Sequence, residues 1–327
     1  MGKTTPPYLT DLVDLHLHLG SSSTPHFLWE LAHEQGIRLE EKDYWEFIKS
    51  ITVKEKTTYD KYLKLFEITE LIQSSTYAIE RAVHKAVSRA YRKGNVGLLE
   101  VRFNPMLRNK GGEQDLDKII FSAVVGMKRA CMEYPVRAGL IIMMDRRFTK
   151  DQNKIIAQKA VRFAKEGIIG VDIAGPITPS FSVSDIAESV GIAKDAGLGV
   201  TIHTGEVTGA SEMWDVVKHI QPNRIGHGVR AVDDVKLMDH LREHHIVLEI
   251  CPTSNLQTGA AKDWDDLAHM FNAFKEHNVP FTVNSDGPEL LGTNVKEEFE
   301  RLMEHGILTQ KEVETCTETA RDVTFIH

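Results

Sequence analysis

Short apolar runs alternate along the chain with longer stretches in which apolar residues recur every three or four positions. Runs of the first kind are typical of buried parallel strands, and the second spacing is typical of amphipathic helices. Eight strand-like runs occur, at residues 12–18, 96–103, 136–144, 168–174, 199–203, 224–227, 246–251 and 281–284. Eight strands that alternate with helices predict a closed (β/α)₈ TIM barrel, with an open doubly wound sheet as the alternative.

No linker, repeat or low-complexity tract divides this pattern, so residues 1–327 are predicted to form one domain. The interval after the first run is much longer than the others and carries Tyr59, Tyr62 and Phe66 among charged residues. It predicts a helical insertion over the barrel mouth, beside the first strand. Gly94 is expected to end the helix before the second strand. Thr309 and Glu312 have the spacing of a capping box and predict the start of a terminal helix.

Composition narrows the class of protein further. The 327 residues are 42% hydrophobic, and 39 basic against 47 acidic side chains give a formal charge of −8, which argues against a nucleic-acid partner. No apolar run approaches the ~20 residues that span a bilayer, so no membrane partner is expected, and residues 1–7 are too polar for a signal peptide. Three cysteines do not form a disulfide framework and fit a reducing, cytoplasmic compartment. The sequence gives no indication of the oligomeric state.

Polar residues that can bind a metal ion follow or end several of the predicted strands. His16 and His18 lie two apart on the first, where alternation points both side chains into the barrel. His203, His227 and Asp286 fall at the ends of the fifth, sixth and eighth strands. In a (β/α)₈ enzyme the carboxyl ends of the strands form the catalytic face, so these residues are expected to meet there.

Three imidazoles and a carboxylate suit Zn²⁺, and Fe²⁺ or Mn²⁺ are further possibilities. The predicted ligands of one ion are His16, His18, His203 and Asp286. His227 is then expected to act on a metal-activated water as a base or electrostatic partner, although a fifth ligand or a packed histidine is the alternative. Glu206 follows His203 past a glycine, and it is expected to stay protonated in a dry pocket and to act as a general acid. Its alternative role is to satisfy backbone amides at a helix start.

The ordered motifs resemble the adenosine deaminase family of the metal-dependent amidohydrolase superfamily. They are Asp14-Leu15-His16-Leu17-His18-Leu19, Leu99-Glu100-Val101-Arg102-Phe103, Asp172-Ile173-Ala174-Gly175, His203-Thr204-Gly205-Glu206, Arg224-Ile225-Gly226-His227-Gly228, Cys251-Pro252-Thr253-Ser254-Asn255 and Ser285-Asp286. The resemblance implies hydrolytic deamination at purine C6. It also implies that Glu206 protonates ring N1, that His227 and Asp286 orient the attacking water and steer its proton, and that the Gly175 N–H approaches N3.

Two positions depart from the family pattern. Gly20 stands where the family usually has an Asp that contacts the ribose 5′-hydroxyl, and Gly287 stands where it has an Asp that hydrogen-bonds purine N7. Arg146 and Arg147 follow the third strand, and Arg147 is the candidate for binding an acidic group on the substrate, with a solvated loop charge as the alternative. Adenosine or deoxyadenosine is the leading substrate, and a 5′-modified nucleoside such as aminodeoxyfutalosine, or free adenine, follows.

Other classes of protein fit the residues less well. A two-metal hydrolase of the same superfamily often needs a lysine at the end of strand 4, and none is present there. A non-catalytic nucleoside-binding protein has no need to keep Glu206 and His227 beside an intact ligand set. The zinc deaminases that use a Cys-x-x-Cys pair are excluded, because the sequence contains no such pair.

Overall fold

The computed structural model describes residues 6–53, 55–179 and 181–327, so most of the polar segment 1–7 lies outside the described residues. Eight strands occur within these ranges: β1 Leu12–His18, β2 Val96–Phe103, β3 Arg137–Asp145, β4 Ile168–Ala174, β5 Gly199–Thr204, β6 Arg224–His227, β7 Val247–Ile250 and β8 Phe281–Val283. Each begins and ends within one residue of its predicted position. Branched apolar residues flanked by helix signals are therefore sufficient to locate the sheet.

Each strand pairs in parallel with the next, and the sheet order is β1 to β8 without a crossover. The ends of the sheet meet through an isolated bridge between Leu17 and Asp286. There the His18 N–H donates to the Asp286 carbonyl at 2.8 Å, and the Asp286 N–H donates to the His16 carbonyl at 2.8 Å. The predicted (β/α)₈ barrel is confirmed, and its closure lies at the metal-ligand candidates themselves.

Helices cover the outside of the barrel. In the described part of the chain they are α1 Pro25–Glu34, α2 Tyr44–Ser50, α3 Tyr59–Ile72, α4 Thr76–Gly94, α5 Leu116–Glu133, α6 Lys150–Arg162, α7 Ala187–Asp195, α8 Ala210–His219, α9 Val235–Glu243, α10 Pro252–Thr258, α11 Trp264–Glu276, α12 Pro288–Leu291, α13 Val295–Glu304 and α14 Gln310–Val323. The first three form the predicted insertion between β1 and the barrel helix α4. No helix in these ranges is apolar over a length that could cross a membrane.

The core lies between the strands and the apolar stripes of the surrounding helices. In α4 the stripe consists of Ala78, Ile79, Ala82, Val83, Ala86 and Val87, all of which are buried. The expected end of α4 is off by one residue, because Gly94 is its last helical residue and Asn95 takes the left-handed conformation with φ 53°. Asparagine tolerates that conformation, so it replaces glycine as the cap. The capping box of Thr309 and Glu312 is confirmed at the start of α14.

Candidate active site

A cavity of about 420 Å³ opens at the carboxyl ends of the barrel strands. Its inner wall includes His18, His203, Glu206, His227 and Asp286. Its outer wall is α3 of the insertion, through residues that include Tyr59, Tyr62, Phe66, Glu67 and Glu70. The volume lies within the usual range of small-molecule sites.

Three imidazoles converge at this wall: His18 and His203 line the cavity, and the buried His16 lies against them. The Nε2 atom of His18 lies 3.2 Å from Nε2 of His16 and 3.1 Å from Nε2 of His203. The Oδ1 atom of Asp286 is 3.4 Å from His18 Nε2 and 3.9 Å from His16 Nε2. The structure thus brings together the four residues that the sequence nominates as ligands.

The hydrogen bonds on the far side of these rings show that the group fits a cation. His16 Nδ1 lies 2.7 Å from a Glu249 carboxylate oxygen, and His203 Nδ1 lies 3.1 Å from Asp172. A carboxylate can only accept, so each Nδ1 carries the hydrogen and each Nε2 is left with a lone pair. Burial lowers the pKa of His16, with Arg102 adding to the effect, so this ring is uncharged. His18 Nε2 lies 3.2 Å and 3.1 Å from these two lone pairs and can donate at most one hydrogen, so at least one contact is repulsive unless a positive ion lies among the three nitrogens.

Two carboxylates orient these rings and are themselves held by buried arginines. Glu249 accepts from Arg102 at 2.8 Å and from Arg224 at 2.7 Å, and Asp172 accepts from Arg102 at 3.0 Å. Burial alone would raise the pKa of Glu249, but Arg102 and then Arg224 outweigh it and hold that pKa below its usual range. Both carboxylates therefore stay ionised as hydrogen-bond acceptors.

Sequence reasoning assigned no role to this supporting group. A signal was present, because Arg102, Arg224 and Glu249 fall inside predicted buried strands, where a charge needs a partner. The structure also brings the Cys251 thiol within 4.8 Å of ring nitrogens of His16 and His227. Burial raises the pKa of that thiol well above its usual value.

His227 lies beside the three rings and has a different set of partners. The Asn255 side-chain amide donates to His227 Nδ1 at 3.0 Å, which leaves the hydrogen on Nε2. Nε2 faces the Glu206 carboxylate at 3.6 Å. His227 and Asp286 both adopt left-handed backbone conformations, with φ 61° and 56°. The same conformation occurs at five other non-glycine residues of the described chain, so it does not by itself mark a functional site.

Glu206 lies in the cavity wall with little contact with solvent. Its side chain accepts one hydrogen bond, from the Thr258 hydroxyl at 3.3 Å. Burial, with the nearby Asp286 charge adding to it, raises the pKa of Glu206 to about 8. The carboxyl is therefore predominantly protonated at neutral pH and can donate a hydrogen.

Asp286 is positioned by a short hydrogen bond. The Ser254 hydroxyl donates to its Oδ2 atom at 2.5 Å, which leaves Oδ1 for the histidine cluster. Burial raises the pKa of Asp286. Ser254 and Asn255 follow β7 in one short helix, α10, so a single element positions both Asp286 and His227. Neither had a role in the sequence-based prediction, although both lie in a quoted motif.

The residues after β3 and β4 separate into two groups. Gly175 lines the cavity with φ 96°, and an added Cβ would lie 2.7 Å from an Asp145 carboxylate oxygen. Arg147 also lines the cavity and pairs with Asp145 at 2.6 Å. Arg146 turns away, because it donates to the Gly175 carbonyl at 3.1 Å and to Glu212 at 3.0 Å. Of the two arginines, only Arg147 can meet a substrate in this cavity.

Gly20 and Gly287 do not reach the cavity wall that the structure describes, because helix α3 fills the space beside each. A Cβ at position 20 would lie 2.7 Å from the Phe66 ring. A Cβ at position 287 would lie 2.6 Å from the Tyr62 hydroxyl and 3.0 Å from the Ser21 hydroxyl. A larger residue at either position requires the side chains of its neighbours to move.

A parallel (β/α)₈ barrel whose strand ends gather three histidines, an aspartate and a protonated glutamic acid defines a metal-dependent hydrolase. A family model described as adenosine deaminase matches residues 11–327. An adenosine deaminase of Vibrio vulnificus strain CMCP6 is 32% identical over 302 residues, which cover 92% of this chain and 89% of the relative. The chain belongs to the adenosine deaminase family.

Solved structures share the fold. Adenine deaminase from Arthrobacter aurescens superimposes with a TM-score of 0.88 at 22% identity and covers 97% of this chain and 94% of its own. An amidohydrolase from Burkholderia ambifaria with bound Zn superimposes with a TM-score of 0.88 at 20% identity, covering 100% of this chain and 90% of its own. Family membership makes this chain a hydrolytic deaminase of adenine-type substrates.

Proposed function

We propose that this enzyme deaminates a 6-aminopurine nucleoside, adenosine or deoxyadenosine, to the 6-oxo product and ammonia. The observation that carries the proposal is the position of Glu206, whose protonated carboxyl lies in the same cavity wall as His18, His203 and Asp286. Protonation of a ring nitrogen makes C6 electrophilic enough for water to add, so an acid and a site for the nucleophile must share one cavity.

His16, His18, His203 and Asp286 are the residues that would hold one divalent ion. Their nitrogen and oxygen donors suit Zn²⁺, and Fe²⁺ and Mn²⁺ accept the same set. A bound zinc ion lowers the pKa of a coordinated water to about 7 and so makes a nucleophile available at neutral pH.

The chain's own residues supply the remaining steps. Glu206 donates its proton to purine N1, which makes C6 electrophilic. The water oxygen adds to C6, with the water oriented by the Nε2–H of His227 and its proton taken by Asp286. The C6–N bond then breaks, ammonia leaves with that proton, and the proton of the new C6 hydroxyl returns to Glu206 as the 6-oxo group forms. The Gly175 N–H approaches N3, because the absence of a side chain admits the ring edge.

The sugar side of the cavity favours a second candidate substrate. Residue 20 is a glycine, so it offers no carboxylate to a ribose 5′-hydroxyl, and the Phe66 ring fills the space where a side chain would begin. A 5′-modified adenosine such as aminodeoxyfutalosine, or free adenine, does not need that contact. Arg147 at the rim could meet an acidic substituent, although its pairing with Asp145 must then be shared.

The test is ammonia release by the zinc-loaded protein with adenosine, deoxyadenosine, adenine, 5′-modified adenosines and adenosine phosphates. Turnover of adenosine or deoxyadenosine above all others supports the leading proposal. Turnover confined to another member transfers the assignment to that compound. If no compound in the panel releases ammonia, deamination of these purines is overturned and a binding role is favoured.

A further inference from the structure

The hydroxyl of Tyr62 is a buried polar group without a hydrogen-bond partner in the described residues. Tyr62 belongs to α3, is 3% exposed and lines the cavity together with Asp286 and Glu206. Leaving a buried hydroxyl unpaired is unfavourable, so native structures rarely keep one without a reason. A cavity that receives a ligand supplies the reason, because the ligand can provide the missing acceptor.

The Tyr62 hydroxyl can donate one hydrogen bond, and the carboxyl groups around it in the cavity wall leave the donor role as the one to be filled by a ligand. An ordinary tyrosine hydroxyl keeps its hydrogen at neutral pH, so Tyr62 has an O–H group to offer. The same O–H faces Asp286, but the two form no hydrogen bond with an ordinary distance and angle. It is a donor that awaits a ligand atom in the cavity.

The chemistry of an adenine ring identifies that atom. C6 is flanked on one side by N1 and on the other by C5, which carries N7, and N1 and N7 are both acceptors. When Glu206 meets N1, as in the proposed function, a group on the Asp286 side of the site faces the N7 edge. The Tyr62 hydroxyl lies on that side, 2.6 Å from where a side chain on Gly287 would begin.

We infer that the Tyr62 hydroxyl donates a hydrogen bond to purine N7 and thereby serves as a specificity-determining residue. The inference rests on the proposed function, since it takes the orientation of the ring from the contact between Glu206 and N1. Gly287 is part of the same arrangement, because any side chain there would occupy the space of the Tyr62 hydroxyl. The insertion helix α3 thus supplies a base contact as well as a wall.

The experiment compares kcat/KM for adenosine and 7-deazaadenosine, or for the equivalent pair of whichever purine proves active. The two compounds differ at position 7, where nitrogen accepts a hydrogen bond and C–H does not. The wild-type enzyme should prefer the purine, and Tyr62→Phe should lower that preference by roughly five- to hundredfold. Most of the change should come from slower turnover of the purine, with the deaza compound little affected.

Two further variants keep the test decisive. Tyr59→Phe removes another hydroxyl from the cavity wall on the same helix, and it should leave the preference for nitrogen at position 7 unchanged. Gly287→Ala keeps the Tyr62 hydroxyl but displaces it, so it should also reduce the preference.

A merely structural role for the hydroxyl, for instance in supporting Asp286, would slow both compounds equally in Tyr62→Phe. An unchanged preference in that variant therefore overturns the inference and leaves the proposed function standing. If the wild-type enzyme deaminates no purine, the proposed function and this inference fall together.

Discussion

Single residues decide the protonation states on which this site depends. Glu249 and Asp172 hold hydrogens on the Nδ1 atoms of His16 and His203, whereas Asn255 reverses the arrangement at His227. The first two rings therefore present lone pairs and the third presents an N–H group. One residue type thus serves two chemical purposes within a few ångströms.

Glu206→Gln tests the general acid directly. The amide keeps the shape of the side chain but has no proton to donate to N1, so kcat should fall by roughly 10²- to 10⁴-fold. Metal content and thermal unfolding should change little. The exposed Glu188, which pairs with Lys154, offers the control Glu188→Gln. Wild-type turnover in Glu206→Gln would exclude the proposed role.

The raised pKa of Glu206 predicts a pH dependence. The acid form is required, and it is populated below the pKa and lost above it. Since that pKa is about 8, kcat/KM should decline as the pH rises through about 8. A profile measured with the active purine from pH 6 to 10 checks this. A rate that keeps rising through that range would contradict a proton donor of this pKa.

His16→Ala tests the proposed ligand set. Removal of one of four ligands should lower metal affinity by 10-fold or more, which metal analysis after dialysis against a chelator would show. His26→Ala is the matched control, because His26 is exposed on α1 and pairs with Glu30 rather than with the histidine cluster. A full equivalent of metal in His16→Ala under the same dialysis would remove His16 from the set.

At the scale of elements, the site depends on how strands end. Gly175 at the end of β4 has φ 96°, and its missing Cβ leaves room for the Asp145 carboxylate. Asp145 in turn holds Arg147 at the cavity rim. A side chain at position 175 would therefore displace Asp145 and, with it, Arg147 at the cavity rim.

Gly175→Ala should disturb both the backbone and the cavity. A left-handed conformation costs alanine about 1–2 kcal/mol, and the new methyl group displaces Asp145, so kcat/KM should fall at least about 10-fold. Gly197→Ala is the matched control, because Gly197 has φ 78° and nothing within 4 Å of an added Cβ. It should show the stability loss in thermal unfolding with unchanged kinetics. Equal kinetics in both variants would refute a role for Gly175 at the substrate.

At the scale of the whole molecule, charged side chains cross the barrel interior below the site. Arg224 donates to Glu249 at 2.7 Å and to Glu100, and it also donates to the Val323 carbonyl at 2.7 Å at the end of α14. The chain of contacts runs from the histidine cluster to the C-terminal segment. It involves the adjacent strands β6 and β7 together with β2, which faces them across the interior only when the barrel closes.

Arg224→Met should destabilise the folded protein strongly. Glu100 and Glu249 would lose a buried partner, and breaking a buried pair in this way costs about 3–5 kcal/mol. Arg242→Met removes an exposed arginine that pairs with Asp239, so it should cost about 0–1 kcal/mol. Denaturant unfolding of both variants measures the difference. Similar free energies of unfolding would show that the interior charges contribute no more than a surface pair.

The amino-acid sequence by itself determined the barrel, the insertion after β1 and the nomination of the metal and acid residues. Strand alternation and helix periodicity are local, and a histidine or acid at a strand end is visible without a partner. The predicted ligands His16, His18, His203 and Asp286 therefore needed only the rule that parallel strands share one catalytic end. The roles of these residues in catalysis remain proposals for the experiments above.

Only the tertiary structure decided which side chains from distant parts of the chain lie beside one another. The pairing of Glu249 with His16 joins residues 233 positions apart, and the Tyr62 hydroxyl of the insertion occupies the space that a side chain on Gly287, after β8, would need. Neither has a local signature, because a strand or helix pattern records burial but not the identity of the neighbour. The two glycines look in sequence like lost contacts, whereas in the folded chain their space belongs to Phe66 and Tyr62. We therefore expect substrate specificity to depend on these contacts between segments that are distant in the sequence.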